Sequence, residues 1–314
     1  MQASAWGKSV PDVSRTAKKI LVTGADGQIG SRVADQARAA GYSVTALIRE
    51  QLDITDTAAV KNRLSQVMPD VAINCAAYTN VDKAETEPDA AYALNATGPA
   101  NIAAAISESC LLIHLSTDYV FNGNTRCAYS EEDTPQPETV YGKSKLEGEK
   151  QVMALHPFSV ILRTAWVYSA THRNFLKTML DIGRTRRDMH VVDDQIGSPT
   201  LADDIADVII QITDLATNNQ VDGSNAGIYH YTGAGDTSWY GFAQTIFEQL
   251  ELETGERISV SPITTQEYPT PAKRPPWSVL DTEKITRTFD IKPVAWQQRV
   301  RETVRKILSM EKDR

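Results

Sequence analysis

Lys19-Ile20-Leu21-Val22-Thr23-Gly24-Ala25-Asp26-Gly27-Gln28-Ile29-Gly30 is the stretch that sets the fold of this chain. Its first five residues form a short β-branched, apolar run that reads as a strand, the glycines read as a turn, and residues 31–41 read as a helix. Strand, glycine turn and helix in that order are the context a dinucleotide fingerprint requires. Gly24 permits the tight turn, Gly27 lets backbone N–H groups approach a pyrophosphate, and Gly30 lets the helix pack close to the sheet. Because the helix N-terminus then faces the phosphates, Gly24, Gly27, Gln28, Ile29 and Gly30 are candidate cofactor contacts. The competing reading is a glycine-rich turn that holds no ligand.

Outward from this turn, residues 43–48 read as a second strand, whose end selects the cofactor. An acid there would bond an adenosine ribose hydroxyl, whereas an arginine accommodates a 2′-phosphate. Arg49 stands at that point and makes NADPH the first choice; NADH is the second, since Glu50 follows at once and Arg49 could be a solvated surface side chain. Asp53, with Ile54 beside it, is a candidate for the adenine edge, and Thr55 could instead cap a helix beginning near Asp56. Residues 71–74 form a third strand that runs into Cys75, Ala76 and Ala77, small enough to let a cofactor lie against the backbone. A helical pattern over 87–105, a fourth strand over 111–115 and a further strand over 160–163 continue the alternation. Parallel strands need such crossover helices, so the fold class is α/β, a Rossmann-type doubly wound parallel sheet.

Beyond Trp166 the alternation loosens. Helices are expected over 175–182, 205–213, 239–250 and 296–308, with a short strand and turn over 191–195 and a strand over 228–231. Pro269, Pro271, Pro275 and Pro276 make residues 268–278 an extended segment that cannot be helix interior. This half reads as a smaller, partly interleaved C-terminal substrate-binding region. The expected division is a disordered leader over 1–17, an NAD(P)-binding Rossmann domain over 18–165, and a mainly substrate-binding region over 166–314.

Composition narrows the function. With 41% hydrophobic and 23% charged residues in 314, the chain has the make-up of a soluble globular protein. A formal charge of −8 argues against a nucleic-acid surface, which wants a concentrated basic face. No run of about 18 apolar residues is present, so no membrane span is expected, and residues 1–17 lack the apolar centre of a secretion signal. Cys75, Cys110 and Cys127 are an odd count without metal-ligand pairing, which suits reduced thiols and a cytoplasmic protein.

Tyr141-Gly142-Lys143-Ser144-Lys145 adds chemistry. Residues at i and i+4 share a helix face, so the phenol and the ammonium point into the same space. A free tyrosine titrates near roughly 10, and a neighbouring cation lowers that value. Such a pair suits reduction of a carbonyl, where a proton must reach the oxygen as hydride reaches the carbon. Alone, the spacing is also that of a solvated helix pair.

Gly24-x-x-Gly27-x-x-Gly30, Ser116-Thr117-Asp118 and Tyr141-x-x-x-Lys145 stand in one order on matching elements and together resemble the extended short-chain dehydrogenase/reductases. More narrowly, residues 18–308 are similar to the dTDP-4-dehydrorhamnose reductase family. That likeness rests on Asn74-Cys75-Ala76-Ala77-Tyr78-Thr79-x-Val81-Asp82-x-Ala84-Glu85, Ser116-Thr117-Asp118-Tyr119-Val120-Phe121, Asp194-Gln195-x-Gly197-Ser198-Pro199-Thr200 and Tyr268-Pro269-Thr270-Pro271-Ala272-x-Arg274-Pro275. Cys75, where the family usually has alanine, and the leader depart from its pattern.

The resemblance implies a reaction: NADPH-preferring reduction of the C4 keto group of dTDP-4-dehydro-L-rhamnose to dTDP-L-rhamnose, a step toward polysaccharide. It also implies roles. Tyr141 would donate the proton to the C4 oxygen, Thr117 would bond that oxygen, and Lys145 would hold the nicotinamide ribose and depress the Tyr141 pKa. Asp118 would bind a sugar hydroxyl and Trp166 would pack on the sugar, while Gln195, Ser198 and Arg274 are candidates for the nucleotide diphosphate. Some members are similar in needing Mg2+ at a homodimer contact; Asp193 and Asp194 could serve, although adjacent turn acids are more often solvated, and no metal-ligand set is assigned.

Three other functions compete. Related dehydratases carry Thr-Asp-Glu where this chain has Thr117-Asp118-Tyr119, and without that carboxylate base dehydration is disfavoured. Reduction of another dTDP-4-keto-6-deoxy sugar would use the same residues. A non-catalytic NAD(P)-binding regulatory subunit, as the β subunit of methionine adenosyltransferase is, would share the fold. The presence of Thr117, Tyr141 and Lys145 together argues for an enzyme.

Overall fold

A computed structural model describes residues 17–312. The leader expected over 1–17 lies outside them apart from Ala17. The first strand, β1 (Lys19–Thr23), buries Ile20, Leu21 and Val22 completely, as a strand covered on both faces must. It leads through the glycine turn to α1 (Gln28–Ala39), and then to β2 (Ser43–Leu47), α2 (Thr57–Val67) and β3 (Val71–Asn74). Asp56, and not Thr55, caps α2 by accepting the amides of Ala58 and Ala59. A helical stretch follows as α3 (Val81–Ala84), α4 (Pro88–Tyr92) and α5 (Gly98–Ala105), the last two joined by a π-helical turn at Ala93–Thr97. Next come β4 (Leu111–Thr117), α6 (Val140–Leu155), capped by the Thr139 hydroxyl, and β5 (Ser159–Thr164).

The second half runs β6 (Val167–Tyr168), α7 (Phe175–Gly183), β7 (Asp188–Val192), β8 (Ile196–Gly197), β9 (Thr200–Leu201) and α8 (Ala202–Thr217). It continues with β10 (Gly227–His230), β11 (Thr237–Ser238), α9 (Trp239–Thr254), β12 (Ser259–Ile263), α10 (Glu283–Phe289) and α11 (Trp296–Lys312).

Six strands form one parallel sheet in the order β2-β1-β3-β4-β5-β10. The order reverses between β1 and β3, and ligands in such sheets bind outside the carboxyl ends of the strands at that switch. Alternate residues face opposite layers. Ile20, Val22 and Ile73 join Ile205, Ile209 and Ile212 of α8 on one side, while Leu21 and Ala72 join Val60, Leu64, Ile102 and Val152 on the other. A third core of Tyr168, Leu176, Phe242, Phe247, Trp296 and Val300 unites α7, α9 and α11.

The interleaving is specific. β10, expected within the substrate region, extends the central sheet beside β5, and α8 packs on α1. Both come from beyond Trp166. β12 and α10 were not expected, nor were α3 and the two-residue strands β8, β9 and β11. β12 is a mostly exposed strand that contains Pro262 and pairs only with β7, and α10 is seven residues long, too short for helical periodicity to register.

Candidate active site

A cleft of about 840 Å³ opens beyond the carboxyl ends of β1, β3, β4 and β5. Its floor at β1 is made of backbone. Gly24 has φ +64°, and a Cβ there would meet the Ala76 amide nitrogen at 2.6 Å. A Cβ on Gly30 would lie 2.1 Å from the Gly24 carbonyl oxygen, so Gly30 closes the helix onto the turn itself, where close packing on the sheet was expected. Gly27 is exposed, with only the Gly24 carbonyl oxygen near its Cβ position, at 3.3 Å. Ile29 lines the same cleft, as does Gln28, whose amide oxygen accepts from Ser169 Oγ at 2.9 Å and Asn174 Nδ2 at 3.1 Å. These bonds tie the start of α1 to the second half of the chain.

The neighbouring candidates reach the cleft as well. Arg49 is exposed and pairs with Asp53 at 3.5 Å. The amide and hydroxyl of Thr55 hold the Asp53 carboxyl below its ordinary range, with Arg49 assisting. Ile54 is buried under Gly98, where a Cβ would collide with it at 2.5 Å. Cys75, Ala76 and Ala77 form the opposite wall, and burial pushes the Cys75 thiol up to about 12. Asn74 sets that wall: its side-chain oxygen accepts from Thr23 Oγ1 at 2.6 Å and from the Ala76 amide at 3.2 Å, and its nitrogen meets His114 Nδ1 at 2.9 Å.

α6 carries Tyr141 and Lys145 to the end of β4 because glycines let it approach. A Cβ on Gly142 would lie 2.1 Å from the Tyr119 carbonyl oxygen, and one on Gly148 2.0 Å from that of Asn95. The π-helical turn presents Asn95, which is fully buried, donates to Ser144 Oγ at 3.0 Å and brackets the Tyr78 backbone. Thr117 donates to Asp118 Oδ1 at 2.9 Å and accepts the Tyr119 amide. Burial pushes the Tyr141 phenol up to about 12, while its hydrogen bond with Thr117 pulls it down. The lowered phenol expected from Lys145 is therefore not found in the chain alone: burial dominates, Lys145 is not among the groups that move the phenol, and its ammonium donates instead to the Leu115 carbonyl. Burial brings Lys145 itself down to about 8, against the opposing pull of Glu149 and Cys75.

Asp118 Oδ2 is buried with no hydrogen-bond partner, and so is Thr164 Oγ1; both residues line the cleft. Buried polar atoms are normally paired, which makes these two marks of an interior prepared for a ligand. Burial raises the Asp118 carboxyl to about 6, against the opposing pull of the nearby Ser278 hydroxyl and of the Thr117 hydroxyl bound at Oδ1.

Trp166 lines the cleft with φ +45°, a strained value for a bulky residue. Its ring stacks on Trp239 with centroids 3.5 Å apart and planes 3° from parallel. A Cβ on Gly197 would come within 2.5 Å of the Trp166 ring, so it is Gly197 of the Asp194–Thr200 block that touches the site's wall. Gln195 and Ser198 do not line the cleft; both are buried, and Gln195 donates to Thr265 Oγ1 at 3.0 Å. Arg274 does not line it either, and binds both oxygens of Asp82 at 3.0 and 2.7 Å. Asp193 accepts the Ser238 hydroxyl and Asp194 the amide of Thr265. Among the described residues no group of three or more His, Cys, Asp or Glu is arranged to hold a metal ion.

The sequence reading passed over Thr164, Trp239, His172 and Arg173, which all line the cleft. His172 also meets the Asp26 carbonyl oxygen through Nε2 at 2.9 Å, clasping the glycine turn. None of the four sits in a recognisable spacing. Asp82 and Glu85 were quoted only as part of a block; Asp82 anchors Arg274, and Glu85 accepts the Val140 amide at the start of α6.

The chain is similar to known proteins over nearly its whole described length. The dTDP-4-dehydrorhamnose reductase of Aggregatibacter actinomycetemcomitans is 44% identical over 287 residues, covering 89% of this chain and 96% of the relative. The crystal structure of a dTDP-4-dehydrorhamnose reductase from Clostridium acetobutylicum superposes with a TM-score of 0.85 at 41% identity, over 92% of this chain and 99% of that one. That of the Bacillus anthracis dTDP-4-dehydrorhamnose reductase in complex with NADP gives 0.83 at 33% identity, over 94% and 100%. The model of the RmlD substrate binding domain family matches residues 18–309, and the chain belongs to that family.

Proposed function

We propose that this chain reduces the C4 keto group of dTDP-4-dehydro-L-rhamnose to dTDP-L-rhamnose with NADPH. The observation that carries the reading is the meeting of Thr117, Asp118, Tyr141 and Lys145 with the glycine turn on one cleft, in a chain whose relatives are named for this reaction. The cleft fits the cofactor: the open face of Gly27 and the small wall of Cys75, Ala76 and Ala77 leave space beside backbone. Gly24, Gly27, Gln28, Ile29 and Gly30 would hold the diphosphate, Asp53 and Ile54 the adenine end, and Arg49 the 2′-phosphate. When bound, the reduced nicotinamide supplies hydride to the sugar C4.

The chain's own residues do the rest. Tyr141 delivers its proton to the C4 oxygen; a phenol kept protonated at neutral pH is loaded for that transfer. Thr117 orients the same oxygen, Asp118 accepts a sugar hydroxyl with its unpartnered Oδ2, and Lys145 holds the nicotinamide ribose. Trp166, backed by Trp239, forms the wall on which the sugar packs. Residues 18–165 supply most of the cofactor site and residues 166–314 most of the substrate wall. The cytoplasmic location read from the cysteines, and the homodimer and Mg2+ dependence that the resemblance implies, are tested by cell fractionation, by sedimentation, and by turnover with and without a chelator.

Replacing Tyr141 with Phe tests the proton donor. Turnover should fall by about 10²–10⁴-fold, the usual worth of a positioned acid, with NADP+ affinity retained. A variant as fast as the parent chain would remove Tyr141 from the mechanism.

A further inference from the structure

We propose that Glu149 is a positioning residue for the cofactor site: gripped from behind by Arg163 and Ser116, its buried carboxylate lies one helical turn from Lys145 without touching it and steadies the ammonium at the end of β4 through its charge. This deepens the proposed function and rests on it, since Lys145 is taken to bind the cofactor ribose. Lys145 and Glu149 are four residues apart on α6 and share its buried face. They attach to consecutive residues of β4, where Lys145 donates to the Leu115 carbonyl and the Ser116 hydroxyl donates to Glu149. Ser116 itself lines the cleft. From β5, Arg163 reaches both carboxylate oxygens, at 2.9 and 2.7 Å, with both side chains 2% exposed or less. Behind it Arg163 Nη1 faces His230 Nε2 at 3.3 Å, and His230 Nδ1 meets the Tyr129 carbonyl oxygen at 3.1 Å.

A pair buried this deeply contributes little stability beyond what an apolar replacement would. Its location suggests another use, because α6 sets the acidic member one helical turn from Lys145, which lines the cleft. The other titratable groups facing Lys145 carry no charge near neutral pH. Tyr141 on its own helix and Cys75 after β3 are both pushed up to about 12, and burial drives the His114 ring on β4 well below its ordinary value. Burial also brings Lys145 down to about 8, and the Glu149 carboxylate opposes that fall.

The test is NADP+ affinity of the full chain between pH 6 and 9.5, read from quenching of tryptophan fluorescence, for the parent, Glu149→Gln and Glu149→Gln/Arg163→Gln. Charged Lys145 favours binding, so affinity is high below its pKa and falls as pH rises through it. In both variants the fall should begin about one pH unit lower, the smaller end of what a close opposite charge provides. The double variant does not leave Arg163 buried without its partner and so keeps the test alive if Glu149→Gln fails to fold. An unmoved midpoint in the double variant would make the pair purely structural or trace the single variant's shift to unpaired Arg163, and either result overturns the proposal. A parent chain that binds no NADP+ at any pH would instead remove the functional reading beneath it, and the proposal would fall too.

Discussion

The cofactor side of the cleft is built from backbone, and the substrate side from side chains leaning on one another. At the glycine turn, Gly24 and Gly30 leave no room for a methyl group, and the atoms in the way belong to the main chain. On the opposite wall Trp166 is held by the Trp239 ring and by the space over Gly197, contacts between residues 31 or more positions apart. A site of the first kind tolerates no added atom, whereas one of the second kind can give way by degrees.

Of the substitutions that probe the two walls, the largest effect should therefore come from Gly30→Ala. Its Cβ would press on a carbonyl oxygen that cannot swing aside, and NADP+ affinity should drop by roughly 100-fold, the upper end of what overpacking costs. Fluorescence titration within twofold of the parent would erase the contrast between the two walls. Gly197→Ala meets a side-chain ring, which can shift by tenths of an ångström where a main-chain carbonyl cannot, so the KM for the sugar nucleotide should rise roughly tenfold with NADP+ affinity unmoved. If both constants changed together, the two walls would not be separable.

Asp118 sharpens the comparison through pH. Because burial raises its carboxyl to about 6, the ionised form that accepts a sugar hydroxyl is lost as pH falls through that value. The KM should be about fourfold higher at pH 5.5 than at pH 7.5, and Asp118→Asn should abolish the dependence. A KM flat across this range in the parent would deny the carboxylate its role. Arg49→Ala should have the smallest effect, since this exposed side chain is shared with Asp53: preference for NADPH over NADH should fall by about threefold. A preference left unchanged would shift recognition of the 2′-phosphate to another group.

The same contrast explains what could be read without coordinates. Glycines, short apolar strands and crossover helices are local signals, so β1, the turn, β3 and the Tyr141–Lys145 face of α6 were legible residue by residue. The membership of β10 in the central sheet was not, because a strand's partner is chosen by tertiary packing and β10 carries nothing in its four residues that names β5. Arg274 shows a related limit. An arginine on a proline-stiffened strip looks ready for phosphate, yet Asp82, 192 positions earlier, already satisfies its fork. The expected lowering of the Tyr141 phenol by Lys145 failed because helical spacing reports which groups share a face but says nothing of desolvation, which dominates here. Thr164 and Trp239 went unnoticed because each joins the site only through tertiary packing, Thr164 at the end of β5 and Trp239 at the start of α9 stacked on Trp166, and no local spacing marks either.

The most direct measurement is oxidation of NADPH by the purified chain supplied with dTDP-4-dehydro-L-rhamnose, with the product identified and NADH run in parallel. Rapid NADPH loss yielding dTDP-L-rhamnose, with slower loss of NADH, is the expected result. A chain that binds NADP+ yet oxidises neither cofactor with this sugar would contradict the assigned reaction and point to another dTDP-4-keto-6-deoxy sugar or to a binding subunit.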